Sequence, residues 1–375
     1  MINQIAILIP GASLLLTFML FMNVQKTNKK ANKWLAAFVF CLFILNSNPI
    51  LSQFNDQSLY KIIELSNLCI SPLFYLSVTY FINPTQKWKK KDFLHFGLAF
   101  FFILYTLFNF LARNLNSASN NIPNTSAIVS LILNCLFGIQ VLVYCYLCYL
   151  KILKHQKNIE LFSSVTESVD LKWLKNVGLA VIFLALYWAT GVVFQIGNEN
   201  KYYYLFLEII NLYMVFYIGY YSLKQKEIYP YSKKDKKELK EIITESIISE
   251  ENRKKIIEDE KLETIKAELL KLMLVEKPFL DCELSLIKLA SKLNITSHQL
   301  SYVINSGFNE NFYQFVNRYR IEEAKKLLST PEMNYLNLLG IAFEVGFNSK
   351  TVFNTTFKKI TGKTPSEFKK SSSDL

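Results

Sequence analysis

Two different patterns of apolar residues divide the chain. From Ile5 to Leu223 long apolar runs recur with few interruptions, whereas from Lys224 onward Lys and Glu alternate with short apolar groups. A helix needs roughly 20 mainly apolar residues to cross a hydrocarbon layer of about 30 Å. Seven runs reach or approach that length, at 5–22, 34–51, 65–83, 93–111, 127–150, 177–196 and 203–223. The pattern therefore predicts a seven-helix transmembrane bundle over residues 1–223.

The basic residues between these runs indicate an orientation. The first, third and fifth connections carry Lys26, Lys29, Lys30 and Lys33, then Lys87, Lys89, Lys90 and Lys91, then Lys151, Lys154, Lys157, Lys172 and Lys175. The other connections offer only Lys61, Arg113 and Lys201. Basic loops stay in the cytoplasm, so we expect an outside N-terminus and a cytoplasmic C-terminal half. The first residues lack a basic region, so no cleavable signal peptide is expected.

Polar side chains within the predicted spans are candidates for sensing a signal, because such groups are costly in lipid. They are Glu64, Asn134, Gln195, Glu208 and Asn211. The alternative is that they form hydrogen bonds between packed helices. Since the predicted outside loops are short, the signal would be a small or lipid-soluble effector, or another membrane protein.

Residues 224–277 are expected to form a stiff helical linker. Leu262, Ile265, Leu269 and Leu272 step by three or four residues, which places them on one face of a helix. This stripe fits a seam between two protomers of a homodimer. It fits equally well a helix that packs on its own domain.

The stretch from Leu284 to Phe308 predicts two short helices joined by a tight turn. Apolar residues follow helical spacing at Leu286, Leu289, Ala290 and Leu293. Asn294 then suits the left-handed geometry that ends a helix. Thr296 and Gln299 have the spacing of a capping box that starts the second helix. Together these features predict a helix-turn-helix.

A second copy of the same plan follows. Leu338, Ile341, Ala342 and Val345 repeat the apolar spacing, Gly346 supplies the turn, and Asn348 or Ser349 would cap the next helix. A long helical pattern from Phe312 to Leu328 separates the two copies. The sequence thus predicts an all-α protein in which a membrane bundle (1–223) and a helical linker (224–277) precede a double helix-turn-helix domain (278–375).

The C-terminal stretches LSLIKLASKLNITSHQLSYVI, RIEEAKKLL, IAFEVGF and FKKITGKTPSEF resemble the DNA-binding domain of the AraC/XylS family of bacterial transcription regulators. The resemblance covers about the last 100 residues, and the apolar half is similar in plan to the membrane-bound members of that family. It implies double-stranded DNA and RNA polymerase as partners and a place in the inner membrane of a bacterium; the lipid bilayer, a third partner, is already predicted by the apolar runs. Asn309 stands where the family commonly has Gly, and Asn tolerates the left-handed conformation.

The resemblance also implies which residues meet DNA, because each recognition helix of the family enters the major groove. The first would present Ser297, His298, Ser301, Tyr302 and Asn305; the second would present Lys350, Thr351, Asn354 and Thr355. Lys358, Lys359 and Lys363 would contact phosphates, which adds affinity without sequence information. Arg318 and Arg320, in the helix between, are expected to pair with Glu322, Glu323 or a phosphate.

Other functions find little support in the sequence. It contains no P-loop, nucleophile elbow or zinc spacing, so we expect neither an enzyme nor a cofactor or metal site. Five of the six cysteines fall inside apolar runs, which argues against disulfides. One alternative is a C-terminal module that binds a protein rather than DNA.

Overall fold

The computed structural model describes residues 2–51, 54, 57–84, 86–115, 126–194, 200–227, 233–245, 257–330 and 337–373. It divides into two compact units. The first comprises Met1–Leu153 and Leu171–Ile228, and the second comprises Lys154–Asp170 and Tyr229–Leu375. Within the described ranges both units are built from helices, and the β-structure there is one isolated antiparallel bridge between Ser163 and Ser285.

The helices of the first unit are α1 (Ile2–Phe21), α2 (Lys29–Asn46), α3 (Asn48–Leu51), α4 (Gln57–Ile82), α5 (Gly97–Leu115), α6 (Ser126–Ile159), α7 (Lys172–Val193) and α8 (Lys201–Lys224). The last turns of α6 extend into the second unit. A 3₁₀ turn, Lys90–Phe96, precedes α5. Helix α2 packs between α1 and α4, and its buried side chains include Leu35, Phe38 and Val39.

Five described helices are long and apolar enough to cross a membrane: Leu59–Ile82, Lys90–Leu111, Ile132–Ile159, Lys172–Gly191 and Tyr202–Lys224. They correspond to the third to seventh predicted spans. The first predicted span appears as a shorter apolar helix, Ile7–Phe21, and the second falls on α2. The number of seven therefore stays a prediction.

The second unit contains α9 (Lys233–Glu245), α10 (Asp259–Val275), α11 (Leu286–Lys292), α12 (Ser297–Phe308), α13 (Phe312–Ser329), α14 (Leu338–Glu344), α15 (Lys350–Thr361) and α16 (Pro365–Ser373). A 3₁₀ turn, Pro278–Leu280, links α10 to the first helix-turn-helix. Helices α9 and α10 both pack against α12. The predicted linker thus contributes two helices to this unit.

Two apolar clusters form the interior of the second unit. One joins α9, α10, α11 and α12 to the start of α13, and it includes Leu269, Leu289, Val303 and Phe315. The other joins the end of α13 to α14 and α15 through residues such as Ala324 and Phe353. Ile265 and Leu269 of the predicted stripe are buried in the first cluster, and Leu262 and Leu272 pack against it. The stripe therefore packs on its own domain.

Candidate nucleic-acid interface

The first helix-turn-helix consists of α11 and α12. Ser285 caps α11 by accepting a hydrogen bond from Lys288 N, and Asn294 turns the chain with a φ of 54°. Thr296 Oγ1 accepts from Gln299 N at 3.2 Å, while Gln299 Oε1 accepts from Thr296 N at 3.1 Å. This reciprocal pair satisfies two backbone donors that the helix itself leaves open. The predicted capping box and turn are confirmed.

The second helix-turn-helix consists of α14 and α15. Asn337 Oδ1 caps α14 by accepting from Gly340 N at 2.8 Å. Gly346 turns the chain with a φ of +92°, and Ser349 caps α15. A Cβ atom at Gly346 would lie 2.5 Å from the carbonyl oxygen of Phe279, so the turn is closely packed as well as left-handed. Of the two residues proposed to cap α15, Ser349 takes that position.

Helix α13 connects the two motifs and contacts α12, α14, α15 and α16. Its side chain Arg320 is fully buried, and Nε donates to Phe279 O at 2.8 Å while Nη2 donates to Asp281 O at 2.9 Å. Burial lowers the pKa of Arg320 to about 10, which leaves the guanidinium charged at neutral pH. Arg320 therefore holds the chain before α11 against α13.

Arg318 has a different partner from the one expected. Its guanidinium meets the carboxylate of Glu310 through Nε at 2.9 Å and Nη2 at 3.0 Å. The side-chain hydrogen bond to Glu310 raises the pKa of Arg318 above its ordinary value. The sequence predicts that Arg318 and Arg320 pair with Glu322, Glu323 or a phosphate. In the structure Glu322 bonds to Lys325, and Glu323 bonds to Lys277 and Lys326.

The C-terminal part of the chain matches known proteins. A family described as "Helix-turn-helix domain" matches residues 289–371. The chain is 31% identical to the C-terminal domain of the two-component response regulator yesN from Fusobacterium nucleatum subsp. nucleatum, covering 30% of this chain and 99% of that one, with a TM-score of 0.25. The C-terminal domain belongs to the AraC-type helix-turn-helix family.

A second solved structure also matches the AraC-type domain. It is the C-terminal domain of AraT, a response regulator from Geobacillus stearothermophilus, with 27% identity, 29% of this chain and 84% of that chain covered, and a TM-score of 0.25. Among curated proteins, none matches this chain. The match to the helix-turn-helix family supports a DNA-binding transcription regulator.

The candidate DNA-contacting side chains of α12 differ in exposure. Ser297 and Ser301 are buried, at 4% and 7% exposure. His298, Tyr302 and Asn305 are half-buried. Asn305 Nδ2 donates to Ser301 Oγ at 3.4 Å, so these two residues lie one turn apart on one face. Three of the five candidates on α12 are therefore partly accessible.

Helix α15 presents its candidates more openly. Lys350, Thr351, Thr355, Lys358 and Lys359 are exposed, as is Lys363 just after the helix, whereas Asn354 is half-buried. Thr355 Oγ1 donates to the carbonyl of Thr351 at 2.5 Å, which occupies its hydroxyl within the helix. The four lysines give this side of the AraC-type domain a positive character suited to phosphates.

The segment 154–170, which in the sequence is marked only by its basic residues, also belongs to the AraC-type domain. Residues 154–170 comprise the last turns of α6 and most of the chain that leads to α7, yet they group with the C-terminal unit. Ile159 and Phe162 are buried in the same cluster as Phe279 and Phe315. Beyond the end of α6 at Ile159 the segment carries no helical or alternating pattern. Its only sequence signal is the presence of large apolar residues in a connection between two helices.

The candidate sensing residues lie in the first unit. Glu64 is exposed, and Asn134, Glu208 and Asn211 are half-buried. Asn211 Nδ2 donates to Leu207 O at 3.0 Å, within its own helix. In the described ranges no donor reaches Glu208 Oε2, although that atom is buried. Gln195 lies outside the described residues.

Proposed function

We propose that this protein is a membrane-anchored, sequence-specific transcription regulator that couples a signal at the membrane to DNA binding. The observation that carries the proposal is the pairing of two capped helix-turn-helix motifs with a preceding unit that contains five span-length apolar helices. A regulator of this plan reads DNA from a fixed position at the membrane surface.

On DNA, α12 and α15 would enter successive major grooves. Lys350 and Thr351 open α15 and are exposed, so they are proposed to meet base edges or the adjoining phosphates. Lys358, Lys359 and Lys363 would neutralise phosphates. On α12 the proposed contacts are His298, Tyr302 and Asn305. Ser297 and Ser301 are buried, so they would contact DNA only after their surroundings rearrange.

The first unit is proposed to be the anchor and sensor. Its helices expose large apolar side chains, for example Phe100, Phe101 and Phe108 on α5, as lipid contact requires. The alternation of basic connections supports an outside N-terminus and a cytoplasmic AraC-type domain in a bacterial inner membrane. Glu208 and Asn211, with Glu64, Asn134 and Gln195, remain proposed sensing residues for a small or lipid-soluble effector.

The test is a binding-site selection with the full-length protein in lipid nanodiscs, repeated at two salt concentrations. We expect an enriched sequence with two adjacent half-sites and an affinity that falls steeply with salt. The double variant Lys350→Gln, Thr351→Ala should lose the enrichment while the protein still inserts into nanodiscs. Enrichment that survives in this variant would remove α15 as a reader. Salt-insensitive capture of a protein instead of DNA would favour the protein-binding alternative.

A further inference from the structure

The segment 154–170 is held on the rest of the AraC-type domain by backbone hydrogen bonds. Ser164 N donates to Leu284 O at 3.3 Å, and Leu286 N donates to Phe162 O at 2.9 Å. These two bonds flank the Ser163–Ser285 bridge. A third bond runs from Tyr313 N to Glu160 O at 3.0 Å. The segment thus pairs with the start of α11 and also reaches the start of α13.

Buried side chains reinforce this docking. Ile159 and Phe162 are 0% and 2% exposed, and both lie in the apolar cluster of the domain. Ser164 Oγ donates to Leu284 O at 2.6 Å and accepts from Arg320 Nη2 at 3.1 Å. Arg320 Nη1 also reaches Ser164 O at 3.4 Å. The segment therefore supplies two hydrogen-bond acceptors, both from Ser164, to the buried guanidinium of Arg320.

The far end of the segment reaches the second recognition helix. Glu167 Oε1 accepts a hydrogen bond from Ser349 Oγ at 3.0 Å. Ser349 is the N-cap of α15 and directly precedes Lys350. The N-terminus of a helix carries a partial positive charge and open N–H groups, so it is where an anion binds well. In a helix-turn-helix complex that anion is a DNA phosphate.

We propose, on the basis of the DNA-binding function proposed above, that residues 154–170 form an intramolecular inhibitory segment whose Glu167 carboxylate occupies the place of a DNA phosphate at the N-terminus of α15. The docked segment and DNA then compete for the same end of the recognition helix. Like charges at one site exclude one another, so both cannot be seated together. The chain enters the segment from α6 and leaves it into α7, so both helices are covalently joined to the segment that contacts the N-cap of α15.

The charge of Glu167 is tested by DNA affinity. Full-length wild type, Glu167→Gln and Glu322→Gln are placed in nanodiscs, and their dissociation constants for the selected DNA are measured. Both variants remove one negative charge from the same domain, but Glu322 lies on α13 and pairs with Lys325. We expect Glu167→Gln to bind roughly three- to tenfold more tightly than Glu322→Gln, an effect of the size that charges at helix N-termini produce.

The docking itself is tested by a disulfide. Ser163 and Ser285 form a non-hydrogen-bonded antiparallel pair, whose Cα atoms lie about 4.5 Å apart, within the range of disulfides. In a Cys282→Ser background, Ser163→Cys with Ser285→Cys should oxidise readily, whereas either single variant should form no such bond. The oxidised protein should bind DNA at least about tenfold more weakly, and reduction should restore binding.

Each outcome has one meaning. Failure of the disulfide to form would overturn the docking. Equal affinities for Glu167→Gln and Glu322→Gln, or for the oxidised and reduced pair, would overturn the competition while leaving DNA binding intact. Absence of DNA binding by all variants, including reduced Glu167→Gln, would instead overturn the proposed function on which the inhibitory segment rests.

Discussion

Arg320 Nη2 lies 3.1 Å from Ser164 Oγ, although 156 residues separate the two in sequence. The same guanidinium binds the carbonyl oxygens of Phe279 and Asp281. One side chain of α13 therefore ties together two stretches of the chain, the segment at Ser164 and the turn at 279–281 that leads into the first helix-turn-helix. Because a buried acceptor without a donor is costly, this arrangement depends on the guanidinium being present.

The first prediction concerns this side chain. Arg320→Met keeps most of the volume but leaves the three carbonyl groups without their donor, so it should lower the free energy of opening of α13 by about 3 kcal/mol. Hydrogen exchange of α13 amides in the full-length protein measures this directly. Tryptophan fluorescence does not suit the purpose, because Trp34, Trp88, Trp173 and Trp188 all lie outside the AraC-type domain.

Arg318→Met serves as the matched control two residues away. The Arg318–Glu310 pair is partly exposed, with side-chain exposures of 37% and 22%, so its loss should cost less than about 1 kcal/mol. Similar exchange in the two variants would contradict the structural role assigned to Arg320.

The second prediction compares two glycines with positive φ. At Gly346 a Cβ would meet Phe279 O at 2.5 Å and Leu280 O at 2.9 Å, whereas at Gly362 it would meet nothing within 4 Å. Gly362→Ala should therefore lower the free energy of unfolding only because alanine disfavours a left-handed backbone, by about 1–2 kcal/mol. Gly346→Ala adds a backbone clash and should cost about 3 kcal/mol or more.

Hydrogen exchange of α14 and α15 in both glycine variants provides the measurement. If Gly346→Ala proved no more damaging than Gly362→Ala, the close approach of the turn to Phe279 and Leu280 would be wrong.

The local elements of the AraC-type domain could be predicted because their signals are local. The capping box of Thr296 and Gln299, the turn residues Asn294 and Gly346, and the helix from Phe312 onward all rest on residues a few positions apart. The periodic stripe through Leu269 indicated an apolar face. Its burial in the domain could not be separated from a dimer seam by spacing alone.

The docked segment 154–170 could not be predicted in this way. Its contacts join residues 120 to 182 positions apart, and no periodic pattern marks it. In the sequence, Lys154 and Lys157 indicate only the orientation of a basic loop. The partners of Arg320 could not be predicted for a related reason, since they are backbone carbonyls and a serine far away in sequence. Arg318 pairs with Glu310, eight residues before it, and not with the nearer Glu322 or Glu323.

The third prediction concerns acid. Burial by itself would raise the pKa of Glu323, but hydrogen bonds from Lys277 and Lys326 outweigh it and hold the pKa below the ordinary 4.5. Such a carboxylate stabilises the fold above the unfolded pKa, and this contribution is lost as pH falls through the lower folded pKa. The protection of α13 should therefore decline below about pH 4.5.

Glu323→Gln removes one group that takes up a proton on unfolding, so its stability should depend less steeply on pH in that range. Hydrogen exchange, corrected for the intrinsic rate at each pH, supplies both curves. Parallel curves for wild type and variant would show that Glu323 makes no such contribution.

The fourth prediction concerns the lysines that follow the DNA-facing residues of α15. Lys359 is exposed and proposed to contact phosphate. Lys359→Gln should weaken binding to all DNA sequences alike and reduce the slope of log affinity against log salt by about 0.9. Lys325→Gln, on α13, removes the same charge outside the proposed interface and should leave the slope nearly unchanged. Equal slopes for the two variants would place Lys359 outside the contact.

The burial of Ile159 and Phe162 makes the AraC-type domain a discontinuous folding unit. A polypeptide that begins after α8, whether made by truncation or released by a protease, lacks both side chains and the donor and acceptor groups of Ser164. Such a fragment would expose apolar residues of the cluster that Ile159 and Phe162 belong to, which includes Phe279 and Phe315. Exposed apolar surface favours self-association in water. A soluble version of the domain therefore requires grafting 159–164 back onto it, in the same way that a missing strand can be supplied to a fold from outside.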